Sequence, residues 1–130
     1  MHLEPCCWSC TYSVTKEDGK MVLNMILNQR SNDFIVANNW NVTQYALLLM
    51  TVAQCCHMIP GKLIHVIADA HIYNRHIDIA KELISRPEHP APKIEFIDPE
   101  KTSFHEFKPE DLLITNYETE PQIRNIPVAV

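Results

Sequence analysis

Trp8-Ser9-Cys10-Thr11-Tyr12-Ser13-Val14-Thr15-Lys16-Glu17-Asp18-Gly19-Lys20-Met21-Val22-Leu23-Asn24-Met25-Ile26-Leu27 is the stretch on which the fold turns. From Trp8 to Val14, large or apolar side chains (Trp8, Cys10, Tyr12, Val14) alternate with small polar ones (Ser9, Thr11, Ser13), the period of a half-buried strand. Asp18-Gly19 follows, the dipeptide that best tolerates the positive φ angles of a tight hairpin. A second strand-like run, Met21 to Leu27, comes after it, so the spacing predicts an antiparallel hairpin.

Beyond the hairpin, Asn38-Asn39-Trp40-Asn41 breaks the alternation. Val42, Tyr45, Ala46, Leu49, Val52, Ala53 and Cys56 then recur at intervals of three and four, which predicts a helix buried along a broad face. Asn39 or Asn41 is placed to cap its start, and Pro60-Gly61 reads as the turn after its end. Leu63 to Ala68 reads as a buried strand, and Asp69-Ala70-His71 leads from it into a second helix around Asn74 to Ile84. Arg86 to Pro92, with three prolines, is an extended connection, followed by a short strand at Lys93 to Ile97, a loop from Pro99 to Glu110 and a last strand at Leu112 to Ile114. The expected class is α+β, a mixed β-sheet covered on one face by helices.

A chain of 130 residues, 46% hydrophobic, is one domain with enough core to need no disulfide or metal staple. Its 11 Lys and Arg against 16 Asp and Glu exclude a general nucleic-acid binder, because such affinity comes from cations neutralising phosphates. The start has no basic region leading into a long apolar run, and the longest apolar stretch, Ala46 to Ala53, is interrupted by Thr51, so no membrane partner is expected. Five cysteines, odd in number and clustered, read as reduced thiols of a cytoplasmic protein. With two glycines there is no Gly-rich phosphate loop. No metal site is expected either, since adjacent cysteines chelate one tetrahedral ion poorly.

Four local clusters carry chemistry. In Pro5-Cys6-Cys7 a thiol follows a backbone-fixing proline, and a thiolate is a strong nucleophile; a cysteine is also an ordinary small core residue. In Gln29-Arg30-Ser31-Asn32-Asp33 an Arg beside a Ser can grip a phosphate, and an Asp two residues on can accept from a ring N–H; the alternative is a solvated strand end. Asn41 at the helix head offers a donor and an acceptor together, as reading a pyrimidine edge requires, or serves as a helix cap. In Asp69-Ala70-His71-Ile72-Tyr73, His71 and Tyr73 project to one side of an extended segment, where two such groups can hold a sugar hydroxyl.

In their order and spacing these clusters resemble the thymidylate synthase family. Members carry Pro-Cys-His, Gln-Arg-Ser-x-Asp, Phe-Asn before a long helix, Asp-x-His-x-Tyr, Ser-Arg-x-Pro-x-Pro and an ending like Val-Ala-Val. Here these read Pro5-Cys6-Cys7, Gln29 to Asp33, Trp40-Asn41, Asp69 to Tyr73, Ser85-Arg86-Pro87 and Val128-Ala129-Val130. The resemblance implies reductive methylation of deoxyuridylate (dUMP) to thymidylate, with 5,10-methylene-tetrahydrofolate as co-substrate. By that resemblance Cys6, Asn41 and Asp69 are catalytic, with Cys6 adding to C6 of the pyrimidine and Asn41 reading the ring. Gln29, Arg30, Ser31, Asn41, His71 and Tyr73 bind substrate, while Asp33, Ala37 and Val130 serve the folate. The partners implied are dUMP, folate and a second copy of the chain, in a homodimer packed through a sheet face.

The sequence departs from the family pattern at several points. Cys7 stands where the family has His, Thr11 where it has Gln, Ala37 where it has Gly, and Asn38-Asn39 where it has Leu-Pro or Val-Pro. Family chains are about twice this long, so residues 1–130 correspond to the C-terminal catalytic portion of such a domain, with the N-terminal half absent and little turnover expected of this chain alone. Of four arginines only Arg30 matches the phosphate set. Two other functions fit the same residues. One is a non-catalytic module or subunit that needs an N-terminal partner, and the other is a related pyrimidine nucleotide methylase or hydroxymethylase.

Overall fold

The computed structural model describes residues 4–127, and its centre is the hairpin. Strands β1 (Cys7–Glu17) and β2 (Lys20–Gln29) pair antiparallel, with Glu17 opposite Lys20. Asp18 and Gly19 between them hold φ of 48° and 82°, the left-handed backbone that matches a two-residue turn to the twist of its strands.

Along β2, Leu23, Met25, Leu27 and Gln29 alternate onto one face and are all buried. Three apolar residues in this row build core, and the fourth ends it with an amide. Helix α1 (Asn38–Cys55) covers the face, and its Leu49 and Ala53 close a core with Leu23 and Met25. The chain then returns in β4 (Ile59–Ile67), parallel to β2, with Leu27 opposite His65 and Gln29 opposite Ile67. A parallel pair needs a crossover, and α1 supplies it. A short parallel bridge between β3 (Asn32–Asp33) and β5 (Ala70–His71) carries the pairing past the end of the sheet. The main sheet, in the order β1-β2-β4, is therefore mixed and carries α1 on one face, the α+β architecture expected.

After β5, a 3₁₀ turn at Asn74–His76 runs into α2 (Ile77–Ser85). Strands β6 (Lys93–Phe96) and β7 (Leu112–Thr115) form a separate antiparallel pair. The expected loop between them contains two 3₁₀ turns. Asp111 fastens it by accepting from Lys101 Nζ and the Lys108 N–H, both at 2.7 Å, and the Lys101 hydrogen bond holds its carboxyl below the usual range. Gln54 of α1 donates to the carbonyls of Asp98 and Lys101, each at 2.9 Å.

Three sequence expectations need correction. The helix begins at Asn38, so Asn38-Asn39-Trp40-Asn41 is its first turn, and neither Asn39 nor Asn41 caps it. Asp33 organises that entry instead: its carbonyl accepts the Ala37 N–H at 2.8 Å, and its Oδ1 accepts the N–H groups of Ile35 and Val36, both at 3.2 Å. Second, Tyr12 and Val14 remain more than a third exposed, because α1 covers β2 and β4 more fully than the edge strand β1. Third, Pro60 and Gly61 lie inside β4, and the reversal occurs at His57, with φ 53°. Pro60 is tolerated because β4 is an edge strand whose register slips opposite Leu23 and Met25.

Gly61 is required there by space. A Cβ would lie 2.5 Å from Asn24 Oδ1 and 2.6 Å from Val22 Cγ1, while Asn24 Oδ1 also accepts the Lys62 N–H at 2.9 Å. Gly61→Ala is accordingly expected to lower unfolding free energy by about 1–3 kcal/mol through overpacking, read from urea denaturation. An unchanged midpoint would remove this contact from the account of the β2–β4 register.

Candidate functional site

Four chain segments meet at the end of β2. Pro5, Cys6 and Cys7 enter β1, Gln29 to Asp33 leave β2, Ala37 and Asn41 head α1, and His71 ends β5 with Tyr73 two residues beyond it. Together they line a cavity of about 540 Å³. The parallel return of β4 brings His71 and Tyr73 beside a β2 terminus distant from them in sequence. The Arg30 N–H donates to the Cys6 carbonyl at 2.9 Å and its guanidinium to the Glu4 carbonyl at 2.9 Å, so Arg30 ties the thiol segment to the strand end.

A buried amide network forms the floor. Gln29 Nε2 donates to the Ser31 carbonyl at 2.7 Å and to Asn41 Oδ1 at 3.1 Å. Its Oε1 accepts from Asn32 Nδ2 at 3.2 Å and meets His65 Nε2 at 2.7 Å. Asn32 Nδ2 also approaches Asn41 Oδ1 at 3.4 Å. All four hydrogen-bonding positions of the Gln29 amide are used, which is what burial of a polar side chain requires. Burial also lowers the pKa of His65, favouring the neutral ring.

His71 and Tyr73 do line one wall together, with ring centroids 4.9 Å apart in an edge-on arrangement. Asp69 does not border this cavity. It lies at an adjoining one of about 490 Å³, with Oδ2 3.4 Å from Ser31 Oγ and 3.2 Å from His71 Nδ1. Asp69 thus accepts from Ser31 and stands beside the His71 ring in a cavity that shares Ser31, His71 and Tyr73 with the first. Behind Asp33, the fully buried His76 donates from Nε2 to the Pro127 carbonyl at 2.8 Å, and its Nδ1 stands 3.9 Å from Asp33 Oδ2. Val130 lies outside the described residues.

Cys6, Cys7, Cys10, Cys55 and Cys56 are all free thiols. Burial pushes the Cys7 thiol up, a hydrogen bond from the Tyr45 hydroxyl offsets part of this, and the neighbouring Cys6 and Cys10 push it further up. Cys7 is thus a poor thiolate beside Cys6. Among the described residues, no group of three or more His, Cys, Asp or Glu side chains is arranged to hold a metal ion. No helix among them is long and apolar enough to cross a membrane.

The structure thus brings Cys6, Gln29, Arg30, Ser31, Asp33, Ala37, Asn41, His71 and Tyr73 to one cavity. Sequence reading did not single out Gln44 and Tyr45, which also line it, or His65 beneath it. In the sequence Tyr45 belongs to the apolar face of the helix, with no further mark. For His65 a signal existed: it alternates with Leu63 and Ile67 on the less exposed face of a strand, an unusual place for an imidazole.

The family model described as thymidylate synthase matches residues 1–130. The chain belongs to the thymidylate synthase family. It is 42% identical over 113 residues to the thymidylate synthase of Leuconostoc mesenteroides, covering 87% of this chain and 34% of that protein. It is also 39% identical over 124 residues to the thymidylate synthase of Clostridium beijerinckii, covering 94% of this chain and 45% of that one. Among solved structures it is similar to the thermostable thymidylate synthase A from Bacillus subtilis, with a TM-score of 0.82, 32% identity, and coverage of 98% of this chain and 44% of that one. The chain thus spans less than half the length of these thymidylate synthases.

Proposed function

We propose that this chain is the C-terminal catalytic portion of an enzyme converting dUMP to thymidylate, with the remaining phosphate clamp supplied by sequence outside residues 1–130. The observation that carries the reading is the convergence of Cys6, Arg30, Ser31, Asn41, His71 and Tyr73 on one cavity from four chain segments. Cys6 adds as thiolate to C6 of the uracil ring, so the C5–C6 double-bond electrons move to C5 and the C4 carbonyl oxygen. Asn41 donates to that oxygen as charge develops on it. Arg30 and Ser31 hold the phosphate, and His71 and Tyr73 hold the deoxyribose hydroxyl, which sets the ring against the thiol. Gln29 and Asp69 position these groups.

Methylene-tetrahydrofolate, when bound, supplies the one-carbon unit and the reducing electrons. The residues present fit its pterin ring: Asp33 uses Oδ1 on the backbone of its own turn, which leaves Oδ2 for a ring N–H, and Ala37 lies beside it on the cavity wall. The five free thiols accord with a reducing cytoplasm.

Weak dUMP binding by the chain itself is expected, since one Arg remains to hold the phosphate. Calorimetry should show Asn41→Ala weakening it about tenfold, the cost of leaving a buried carbonyl unpaired. Equal affinities would take Asn41 out of the site.

The sheet face away from α1 supports the homodimer. Ile26, Ile64 and Val66 are 37%, 50% and 49% exposed on adjacent strands, an apolar surface that a second copy would bury. Sedimentation should show a dimer that Val66→Lys dissociates; an unchanged dimer would place the interface elsewhere.

A further inference from the structure

The geometry points to His65 as a positioning residue that, together with the Ser31 carbonyl, holds through Gln29 the end of the Asn41 amide that a base meets. This inference rests on the uracil-binding reading above. A backbone carbonyl can only accept, so the Ser31 carbonyl, 2.7 Å from Gln29, forces the Gln29 NH₂ group to that side. Gln29 Oε1 then faces His65 Nε2 at 2.7 Å, and because that oxygen also only accepts, the proton of the neutral imidazole sits on Nε2. The second Gln29 N–H reaches Asn41 Oδ1 at 3.1 Å, which turns the Asn41 oxygen into the protein. Asn41 Nδ2 makes no hydrogen bond among the described residues. What Asn41 offers the cavity is therefore a donor, matched to the C4 carbonyl of uracil and opposed to the C4 amino group of cytosine.

His65 delivers its part of this from a paired strand, opposite Leu27 of β2. The other donor to Gln29 Oε1, Asn32 Nδ2, is longer at 3.2 Å and shared with Asn41. Without the imidazole, Gln29 keeps only that shared bond on its oxygen, and both amides are freer to turn. A reversed Asn41 would present an acceptor and welcome cytosine.

The test compares wild type, His65→Phe and His65→Gln in the 130-residue chain. Side-chain amide proton exchange at Gln29 and Asn41, followed by NMR, is expected to quicken about tenfold in H65F, as loss of one buried hydrogen bond implies. H65Q, which can still donate, should remain near wild type. In calorimetry the ratio of dUMP to dCMP affinities should fall about tenfold in H65F and recover in H65Q. Unchanged exchange in folded H65F, or equal quickening in H65Q, would overturn the assignment. If the wild type binds neither nucleotide, the uracil reading fails and amide exchange alone decides the role of His65. Should H65F fail to fold, ¹⁵N NMR of the wild-type ring decides: a protonated Nε2 with a bare Nδ1 is expected, and the opposite tautomer would overturn the inference.

Discussion

The constraint on which the site depends is the burial of one primary amide. Gln29 ends a row of core residues on β2, and with almost no solvent to reach it must find four partners inside the protein. They come from the strand's own exit (Ser31, Asn32), the head of α1 (Asn41) and β4 (His65). Satisfying that amide fixes the helix head and the returning strand against the end of β2, and those are two of the cavity's walls. An unmet bond at this depth costs about 1–3 kcal/mol, so the arrangement is tightly specified.

The fold serves this junction. The β2–α1–β4 crossover makes two parallel strands end side by side, and the residues leaving their C-terminal ends, 30–33 and 69–73, meet there. The β3–β5 bridge pairs Asn32 with Ala70 and Asp33 with His71, which sets the two segments in register across the cavity. A cavity beyond the ends of parallel strands is a common place for a ligand, because side chains from separate segments converge while backbone pairing holds them still. Cys6 joins from the segment before β1, its carbonyl accepting the Arg30 N–H.

Local pattern carried much of this in the sequence. The Asp18-Gly19 hairpin, the long helix and the β-branched strand each have a periodicity or turn chemistry confined to a few neighbouring residues. Where the reading went astray, the deciding contact was distant. Asn41 resembles a helix cap until Gln29 claims its oxygen. Pro60-Gly61 resembles a turn until Asn24 and Val22 press on Gly61 across the sheet. His65 shows locally only as an imidazole on the less exposed face of a strand, and the pairing with Leu27 brings it to Gln29. The residues lining the cavity, Gln44 and Tyr45 apart, were legible as four ordered motifs, and Asp69 of the last motif lines an adjoining cavity that shares Ser31, His71 and Tyr73 with the first.

The most direct test of the central claim is a two-dimensional NMR titration of the chain with dUMP, following both backbone and side-chain amides. The account predicts shifts concentrated at Cys6, Arg30, Ser31, the Asn41 side-chain amide, His71 and Tyr73, with the exposed face of Ile64 and Val66 unmoved. Shifts confined to that sheet face, or to β6 and β7, with the cavity residues silent, would contradict it.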